Sequence, residues 1–391
     1  MADMKRLLLL LLSLVLLGGC KALGFSGLEV ESAGLSTQRP SNVAVYLWAT
    51  NDGKPLTELV ETNFRLYENE QPLDPAAVGL TILPRDLAAV HHTLLLVDMS
   101  GEDAEAHQRI AKGAAGFVQQ VRRLQGVTVY AFDGSATIQL IGDFPKQPDG
   151  PPLEGIPGLE SFQSRDPSRD LYGSIVQALD QLDARLMRAQ KPLRIGTLLV
   201  FTGGPDLAAR VTEDQLWSTL DTTRHQVMAM GVGEEDQPHL DVIGRAGILK
   251  AQSVDTIPIA FEDAAMKVRA AMERYYLLSY CSPSRAGVRS LRVEVAITDQ
   301  EGQEVVGDLQ LEFNADGFGP GCDPKTPPRF VVQAPASTDT SPGGSGVSVG
   351  GPPAAETPPA PPEQAPPPSS SGDETEEIVP PPDRPGYAPV E

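Results

Sequence analysis

The sequence predicts an α/β protein: a mostly parallel sheet with helices on both faces, flanked by a small β-sandwich-like region and followed by a disordered tail. Strand-like and helix-like segments alternate between about residues 88 and 280, a pattern typical of parallel sheets covered by helices. Short β-rich segments stand on either side of this region, and prolines are concentrated from Pro324 onward.

The composition is that of a folded, acidic protein. Hydrophobic residues make up 41% of the 391 residues, but aromatic residues only 5%, so aliphatic side chains must supply most of the core. The formal net charge is -21. Because such a surface repels phosphate groups, we expect no nucleic-acid partner.

The N-terminus predicts export. Lys5 and Arg6 precede an almost unbroken apolar stretch, residues 7–17, and then the small residues Gly18 and Gly19. This pattern indicates a signal peptide over residues 1–19, and the stretch is too short for a comfortable membrane span. Residues 17–20 resemble a lipobox, which implies a diacylglycerol on Cys20. An ordinary signal peptide followed by an unrelated cysteine is the alternative.

The lipoprotein resemblance also implies a destination in the cell envelope. Residue Lys21, directly after the cysteine, is not the aspartate that retains such proteins in the inner membrane. This favours the outer membrane in a cell that has one. Residues 20–40 are then expected to be the lipidated cysteine and a spacer.

Two β-rich flanks are predicted, over residues 41–87 and 281–323. Strand-like runs occupy 43–48 and 64–67 in the first flank, and 291–297 and 304–313 in the second. Each flank is too small to bury a core by itself. We therefore hypothesise that the two flanks form one sandwich into which residues 88–280 are inserted.

The central region is predicted to contain a sheet and its covering helices. The predicted strands are 92–97, 126–132, 137–141, 197–201 and 226–231, and the predicted helices are 104–124, 171–187, 215–222 and 263–274. In open sheets of this kind, ligands bind at the carboxyl ends of the strands. After residue 323 the composition predicts a disordered or polyproline-like tail, 324–391. It is either a solvated tail without a further role, or a spacer or a ligand for a proline-binding module.

The central motifs resemble von Willebrand factor A domains. Residues 92–102 resemble the first strand and metal loop of that family, 127–140 the following hairpin, and 170–174 the second loop. Residues 198–204 resemble the fourth strand and third loop, and 228–233 the next strand and turn. Residues 275–283 resemble the exit from the domain in bacterial members. The resemblance implies a Rossmann-like domain that binds protein partners.

Complete members of that family bind Mg²⁺ through an Asp-x-Ser-x-Ser loop, a threonine on the second loop and an aspartate on the third. Here Asp98 and Ser100 match, but Glu102 replaces the second serine, Arg169 stands at the threonine position and Gly203 at the aspartate position. A guanidinium has no lone pair to donate, and glycine has no side chain. We therefore expect a degenerate site with no metal and no other cofactor.

Two alternatives remain open at these loops. Asp206 or Asp170 could restore a metal site if the loops shift register. We hypothesise instead that Arg169 pairs with Asp98 and Glu102, supplying the positive charge that a cation would otherwise bring. The competing interpretation is that these are unrelated surface charges.

No catalytic constellation is evident, so the chain is predicted not to be an enzyme. Ser100 and His107 lack a nucleophile elbow and a third partner. Residues 231–233 lack the full dinucleotide fingerprint, and the acidic residues 234–236 are expected to be solvated. The adjacent pair His91 and His92 faces opposite sides of a strand, which argues against a metal site.

Two cysteines remain besides Cys20. Cys281 and Cys322 are predicted to form a disulfide, because exported chains meet an oxidising environment. The alternative is two free thiols. No ligand-spaced Cys or His cluster supports a zinc site.

Taken together, the sequence predicts a lipid-anchored cell-envelope protein that binds an unidentified protein partner. Two rival hypotheses are kept: a Mg²⁺-dependent adhesion domain with a rebuilt metal site, and a structural or assembly scaffold that binds nothing at the end of the sheet.

Overall fold

The computed structural model describes residues 27–101, 103–233 and 237–330. Residues 1–26, which include the predicted signal peptide and Cys20, the acidic residues Glu102 and 234–236, and the segment 331–391 lie outside the described residues. Within the described ranges, no helix is both long and apolar enough to cross a membrane.

Fifteen strands are formed by the described residues. In chain order they are β1 (Leu28–Gln38), β2 (Asn42–Asn51), β3 (Lys54–Pro55), β4 (Phe64–Glu68), β5 (Gln71–Pro72), β6 (Thr81–Leu83), β7 (Ala89–Asp98), β8 (Gly126–Phe132), β9 (Gln139–Phe144), β10 (Leu193–Thr202), β11 (Gln226–Val232), β12 (Gly247–Ala251), β13 (Tyr275–Cys281), β14 (Val288–Thr298) and β15 (Glu304–Asn314).

The α-helices of the same residues are α1 (Pro75–Val78), α2 (Ala104–Val121), α3 (Pro157–Glu160), α4 (Leu171–Met187), α5 (Glu213–Thr222), α6 (Pro238–Ile243) and α7 (Ile257–Glu273). Local sequence sets several of their starts. The Asp103 carboxylate accepts a hydrogen bond from Glu105 N and caps α2, and Thr212 and Gln215 form a capping box on α5. Such caps satisfy backbone N–H groups that the first helical turn leaves unpaired.

The central sheet has the strand order β12-β11-β10-β7-β8-β9. All neighbouring strands are parallel except β9, which runs antiparallel to β8. Helices α2, α3 and α7 cover one face, and α4, α5 and α6 cover the other. Strands buried on both faces are continuously apolar, as β7 is from Leu94 to Val97. The predicted α/β architecture is therefore confirmed.

The flanks form two antiparallel sheets that pack face to face. The first has the order β1-β2-β13-β6, with β3 paired to β2, and the second has the order β15-β14-β4-β5. Their facing side chains form one core, which includes Val45, Leu278, Phe64 and Val293. Each sheet combines strands from before and after the central sheet. This is the sandwich-like region that the sequence predicted.

The first flanking sheet also packs on the central unit through its other face. Tyr46 of β2 and Tyr275 of β13 belong to a buried cluster with Ala89, at the start of β7, and Leu193, at the start of β10, packs against it. The amino ends of the central strands therefore abut the sandwich. Their carboxyl ends point away from it and are open to form a site.

Part of the predicted spacer is a strand. Residues 20–40 were expected to be irregular, whereas β1 occupies Leu28–Gln38 and pairs along the length of β2. A register shift between Ser32 and Gly34 breaks the two-residue alternation that identifies a strand. A Cβ atom at Gly34 would lie 3.1 Å from the ring of Phe330, so a larger residue there would require the ring to shift.

The predicted tail begins too early. Residues 324–330 pack on the fold, since Phe330 is buried in the same cluster as Tyr46 and Ser36 Oγ donates to the Arg329 carbonyl at 2.8 Å. The proline-rich composition predicts an unpacked segment. The burial of Phe330 and the hydrogen bond from Ser36 instead hold it against the fold.

Four further elements differ from the sequence predictions. Strand β13 was placed in the central domain, but it pairs with β2 and β6 of the first flanking sheet. The edge strand β12 and the short helix α6 were not predicted, because neither is long enough to show a clear period. Helix α7 begins at Ile257 and not at 263, with Pro258 in its first turn, where proline is tolerated.

Cys281 and Cys322 form the predicted disulfide. Their Cα atoms are 5.8 Å apart, and the bond links the end of β13 to the segment after β15. It therefore closes the second flank onto the first flanking sheet.

We expect the unreduced mature protein to show no free thiol from Cys281 or Cys322. The Cys281→Ser/Cys322→Ser variant should lose about 3–4 kcal/mol in unfolding free energy, because a loop of this length is no longer constrained in the unfolded chain. Thiol titration in denaturant and urea unfolding measure the two effects. Two reactive thiols in the unreduced protein would contradict the bond.

Candidate functional site

The carboxyl end of β7 carries a buried carboxylate. Asp98 is the last residue of β7 and only 4% exposed. It lies between the ends of β8 and β10, the neighbours of β7 in the sheet. Loops from three parts of the chain converge on this one side chain.

Hydrogen-bond donors surround both oxygens of Asp98. Oδ1 accepts from Ser100 N at 3.0 Å and from Ser100 Oγ at 2.6 Å, and Oδ2 accepts from Gly203 N at 2.8 Å. The Thr202 hydroxyl lies 3.2 Å from Oδ2 and 2.6 Å from the Gly204 carbonyl, and its single proton serves one of them. Buried carboxylates require such partners to remain ionised.

Arg169 supplies the counter-charge. Its Nε donates to Asp98 Oδ2, and its Nη1 donates to the Pro205 carbonyl at 3.2 Å. The side chain is only 15% exposed. The predicted contact between Arg169 and Asp98 is therefore present. The other predicted partner, Glu102, lies outside the described residues.

Two glycines make room for the guanidinium. A Cβ atom at Gly204 would lie 2.9 Å from Arg169 Nη1, and one at Gly203 would lie 3.3 Å from Nη2 and 3.6 Å from Asp98 Oδ2. Contacts of 2.9 Å to a Cβ require the neighbour to move. The absence of a side chain at position 204 therefore leaves space for the guanidinium, and a side chain at position 203 would also bring its Cβ into close contact with it.

Asp206 lies on the loop that follows the two glycines. Its Oδ1 accepts from Tyr172 N at 3.1 Å, in the first turn of α4, and its Oδ2 accepts from Ala209 N at 2.9 Å. The Arg169 carbonyl accepts from Leu207 N and Ala208 N, at 2.8 and 2.9 Å. Asp206 and Arg169 together tie this loop to the start of α4.

Asp170 is buried directly before α4. It is 1% exposed, and its nearest cation is Arg210, with 3.9 Å between Nε and Asp170 Oδ2. Burial raises the pKa of the Asp170 carboxyl, and the charge of Asp206 raises it further. Neither Asp170 nor Asp206 contacts Asp98 in the described structure, so the register shift that would rebuild a metal site from them is not observed.

The remaining polar candidates have structural partners. Ser100 Oγ donates to Asp98, and no hydrogen bond joins it to His107 among the described residues. His91 Nε2 lies 2.7 Å from Tyr46 Oη, whereas His92 Nε2 lies 2.8 Å from Thr128 Oγ1. The two imidazoles thus face opposite sides of β7. Burial, followed by the charges of Arg85 and Lys146, lowers the pKa of His91 to about 3.

Sequence reasoning did not single out Thr202, Gly204 or the Pro205 carbonyl. Thr202 ends β10 and the other two follow it closely, and their position at a strand's carboxyl end was the signal that could have identified them. No group of three or more His, Cys, Asp or Glu side chains within the described ranges is arranged to hold a metal ion.

Comparisons with known proteins find similarity to solved structures only at low identity. No family model matches the sequence, and no curated protein does. Von Willebrand factor type A from Catenulispora acidiphila is 12% identical, with a TM-score of 0.37, and the alignment covers 75% of this chain and 74% of that one.

Two further matches are equally distant. Proximal thread matrix protein 1 from the mussel byssus is 12% identical, with a TM-score of 0.37 over 54% of this chain; the match spans half, 50%, of the mussel protein. The PilB minor pilin from Streptococcus sanguinis is 10% identical, with a TM-score of 0.34 over 62% of this chain and 78% of the pilin. The description of the fold rests on its own strand order and helices.

Replacing Arg169 should destabilise the protein more than replacing a surface arginine. Arg169→Met leaves the Asp98 charge buried without a counter-ion, and we expect unfolding free energy to fall by about 2–3 kcal/mol. The variant Asp98→Asn/Arg169→Met should recover part of this loss, because no charge is then left buried. Urea unfolding measures both.

The matched control is Arg109→Met. Arg109 is 38% exposed and pairs with Asp255, which is 75% exposed. Such surface pairs contribute about 0–1 kcal/mol. Equal losses for Arg169→Met and Arg109→Met would show that the Asp98 pair does not organise the loops.

Proposed function

We propose that this chain is a lipid-anchored cell-envelope protein that binds a protein partner without a metal ion, through the loops around Asp98. The observation that carries the proposal is the Arg169–Asp98 ion pair at the carboxyl end of the central sheet. In open α/β sheets, ligands bind at this end. Here the guanidinium of Arg169 already pairs with the carboxylate of Asp98.

The residues around Asp98 do not fit a divalent cation. Mg²⁺ requires oxygen ligands in a near-octahedral set. Asp98 Oδ2 instead faces a guanidinium and the Gly203 N–H group, and position 203 has no side-chain oxygen. A cation here would meet the positive charge of Arg169 at short range. These contacts support a degenerate site and weigh against the rival Mg²⁺-dependent adhesion domain.

The third loop offers a surface for a partner. Leu207 is 62% exposed, on a loop held in place by the Asp206 carboxylate and the Arg169 carbonyl. Ala209, at the end of this loop, has a φ of 51°, an uncommon conformation for a residue with a side chain. A rigid loop that exposes a large apolar side chain suits protein recognition, since little ordering is required on binding.

Catalysis has less support than binding. The Ser100 hydroxyl donates to a carboxylate that already pairs with Arg169, which leaves it without a base to activate it as a nucleophile. We therefore propose a non-enzymatic role. The other rival, a scaffold that makes its contacts through the flanks or the segment 324–391, predicts that substitutions at Leu207 leave partner binding unchanged.

Membrane attachment is proposed through Cys20. Its support is the basic start, the apolar stretch 7–17 and the lipobox-like residues 17–20. A lipid with two or three acyl chains, at about 0.8 kcal/mol per buried CH₂, would hold the protein at the membrane permanently.

Titration calorimetry with Mg²⁺ and Mn²⁺ should give no binding heat through the low-millimolar range, and EDTA should leave the melting temperature unchanged. The physical reason is that Arg169 already neutralises Asp98. Binding at micromolar to low-millimolar metal would overturn the proposal and make the adhesion domain the leading hypothesis.

A variant with two metal-ligand positions restored is the positive control for the metal titration. In Arg169→Thr/Gly203→Asp the guanidinium is removed, and the new carboxylate starts from a Cβ position 3.6 Å from Asp98 Oδ2. We expect this variant to gain Mg²⁺ binding and a melting temperature that rises with Mg²⁺, because two carboxylates and two hydroxyls then converge.

Cys20→Ala should move the protein from the membrane fraction to the soluble fraction, and mass spectrometry of the wild-type N-terminal peptide should show an acylated cysteine. Lys21→Asp is the matched control: it keeps the lipid, and by the lipoprotein resemblance it should shift the protein to the inner membrane of a two-membrane cell. An unmodified Cys20 in the mature protein would rule out the anchor.

A further inference from the structure

A polar cavity lies at the other end of β7, far from the Asp98 loops. It is bounded by the C-terminal half of α4 and by β7, β8 and β9, and it has a volume of about 270 Å³. A second cavity of about 270 Å³ shares His92, Arg185 and Arg188 with it. His92 and Asp98 are separated by six residues of an extended strand, or roughly 20 Å. The two regions are therefore distinct.

The cavity exists because the helices do not cover the whole sheet. On this face α4 packs mainly on β7 and β10. The outer strands β8 and β9 extend beyond it and leave a hollow beside Leu182. Leu140 of β9 lines this hollow and is 59% exposed. An apolar side chain at the mouth of a polar cavity offers a contact for the apolar part of a ligand.

A chain of hydrogen bonds, buried at His92 and exposed at Arg185, forms the floor. His92 Nε2 lies 2.8 Å from Thr128 Oγ1, Thr128 Oγ1 lies 3.1 Å from Asp143 Oδ1, and Asp143 pairs with Arg185. The Thr128 hydroxyl has one proton, which it donates to the carboxylate, so it accepts from a protonated His92 Nε2. Burial, followed by the charge of Arg185, lowers the pKa of His92 to about 4, so the imidazole is neutral at pH 7.

The charge balance of the cavity is positive. Asp143 neutralises Arg185, whereas the guanidinium of Arg188 has no ion-pair or hydrogen-bond partner among the described residues. Arg188 caps the C-terminus of α4, where the helix dipole favours a cation. The dipole accounts for its presence but not for its place on the wall of a cavity.

We propose that this cavity binds a small organic carboxylate with a short apolar body. The carboxylate pairs with Arg188, since a guanidinium binds carboxylates through two parallel hydrogen bonds. The apolar body lies against the exposed side chain of Leu140. A volume of 270 Å³ equals roughly nine water volumes of about 30 Å³ each, enough for a ligand the size of hexanoate.

The test is calorimetric titration of the full mature chain with hexanoate, hexylammonium and inorganic phosphate. We expect hexanoate to bind with a Kd of about a millimolar or below, as a ligand of this size permits. Hexylammonium should not bind, because Arg188 repels it. Phosphate should bind more weakly than hexanoate, because it makes no apolar contact.

Two variants locate the site. Arg188→Ala should weaken hexanoate binding about tenfold or more, as the loss of a charge-assisted hydrogen bond predicts, and Leu140→Ser should weaken hexanoate but not phosphate. Both residues are exposed, so neither change should impair folding. The matched control is Arg123→Ala, an exposed arginine that lines neither cavity.

Four results would contradict the proposal that the cavity binds a carboxylate with an apolar body. No hexanoate binding, or equal binding of hexanoate and hexylammonium, would overturn the carboxylate site. Equal binding of phosphate and hexanoate would overturn the apolar half of the ligand. An equal effect of Arg188→Ala and Arg123→Ala would place the binding elsewhere. None of these results bears on the Asp98 loops, so this proposal and the partner-binding proposal fail independently.

Discussion

The loops at the carboxyl end of the central sheet depend on one constraint: the buried Asp98 charge must be compensated. Backbone and hydroxyl groups from Ser100 and Gly203 provide hydrogen bonds, but they carry no net positive charge. Arg169 provides it, and the glycines at 203 and 204 leave the space. Three loops are thereby held against the Asp98 side chain. The loop that exposes Leu207 is ordered by the same contacts.

A second constraint comes from the flanks. The first flanking sheet is covered on both faces, by the other flanking sheet and by the amino ends of β7 and β10. Because β13 belongs to this sheet and directly follows α7, the central unit is held at both its entry and its exit. The Cys281–Cys322 bond then closes the second flank. This end of the central sheet is buried, so the opposite end and the sides are the parts of the central unit open to solvent.

The molecule thus presents two polar regions of different character. The Asp98 region is internally neutralised and surrounded by ordered loops, which suits a broad protein contact. The cavity beside α4 is small, retains the unpaired Arg188 and has an apolar mouth at Leu140, which suits a small ligand. In each region the deciding feature is where an arginine lies relative to a carboxylate: Arg169 is paired with Asp98, whereas Arg188 has only the already paired Asp143 nearby.

The sequence by itself predicted the α/β class, the central strands and helices, the sandwich-like flanks and the disulfide, because these follow from periodicity and cysteine pairing. The contact of Arg169 with Asp98 was one of two open interpretations, and it rested on the resemblance of the loops to those of a known family. Only the tertiary structure decided the rest. The bulge at Gly34 hid β1, the burial of Phe330 depends on a surface formed by distant strands, and the cavity arises where α4 stops short of β8 and β9. Such features result from packing between distant segments, which no local pattern of residues records.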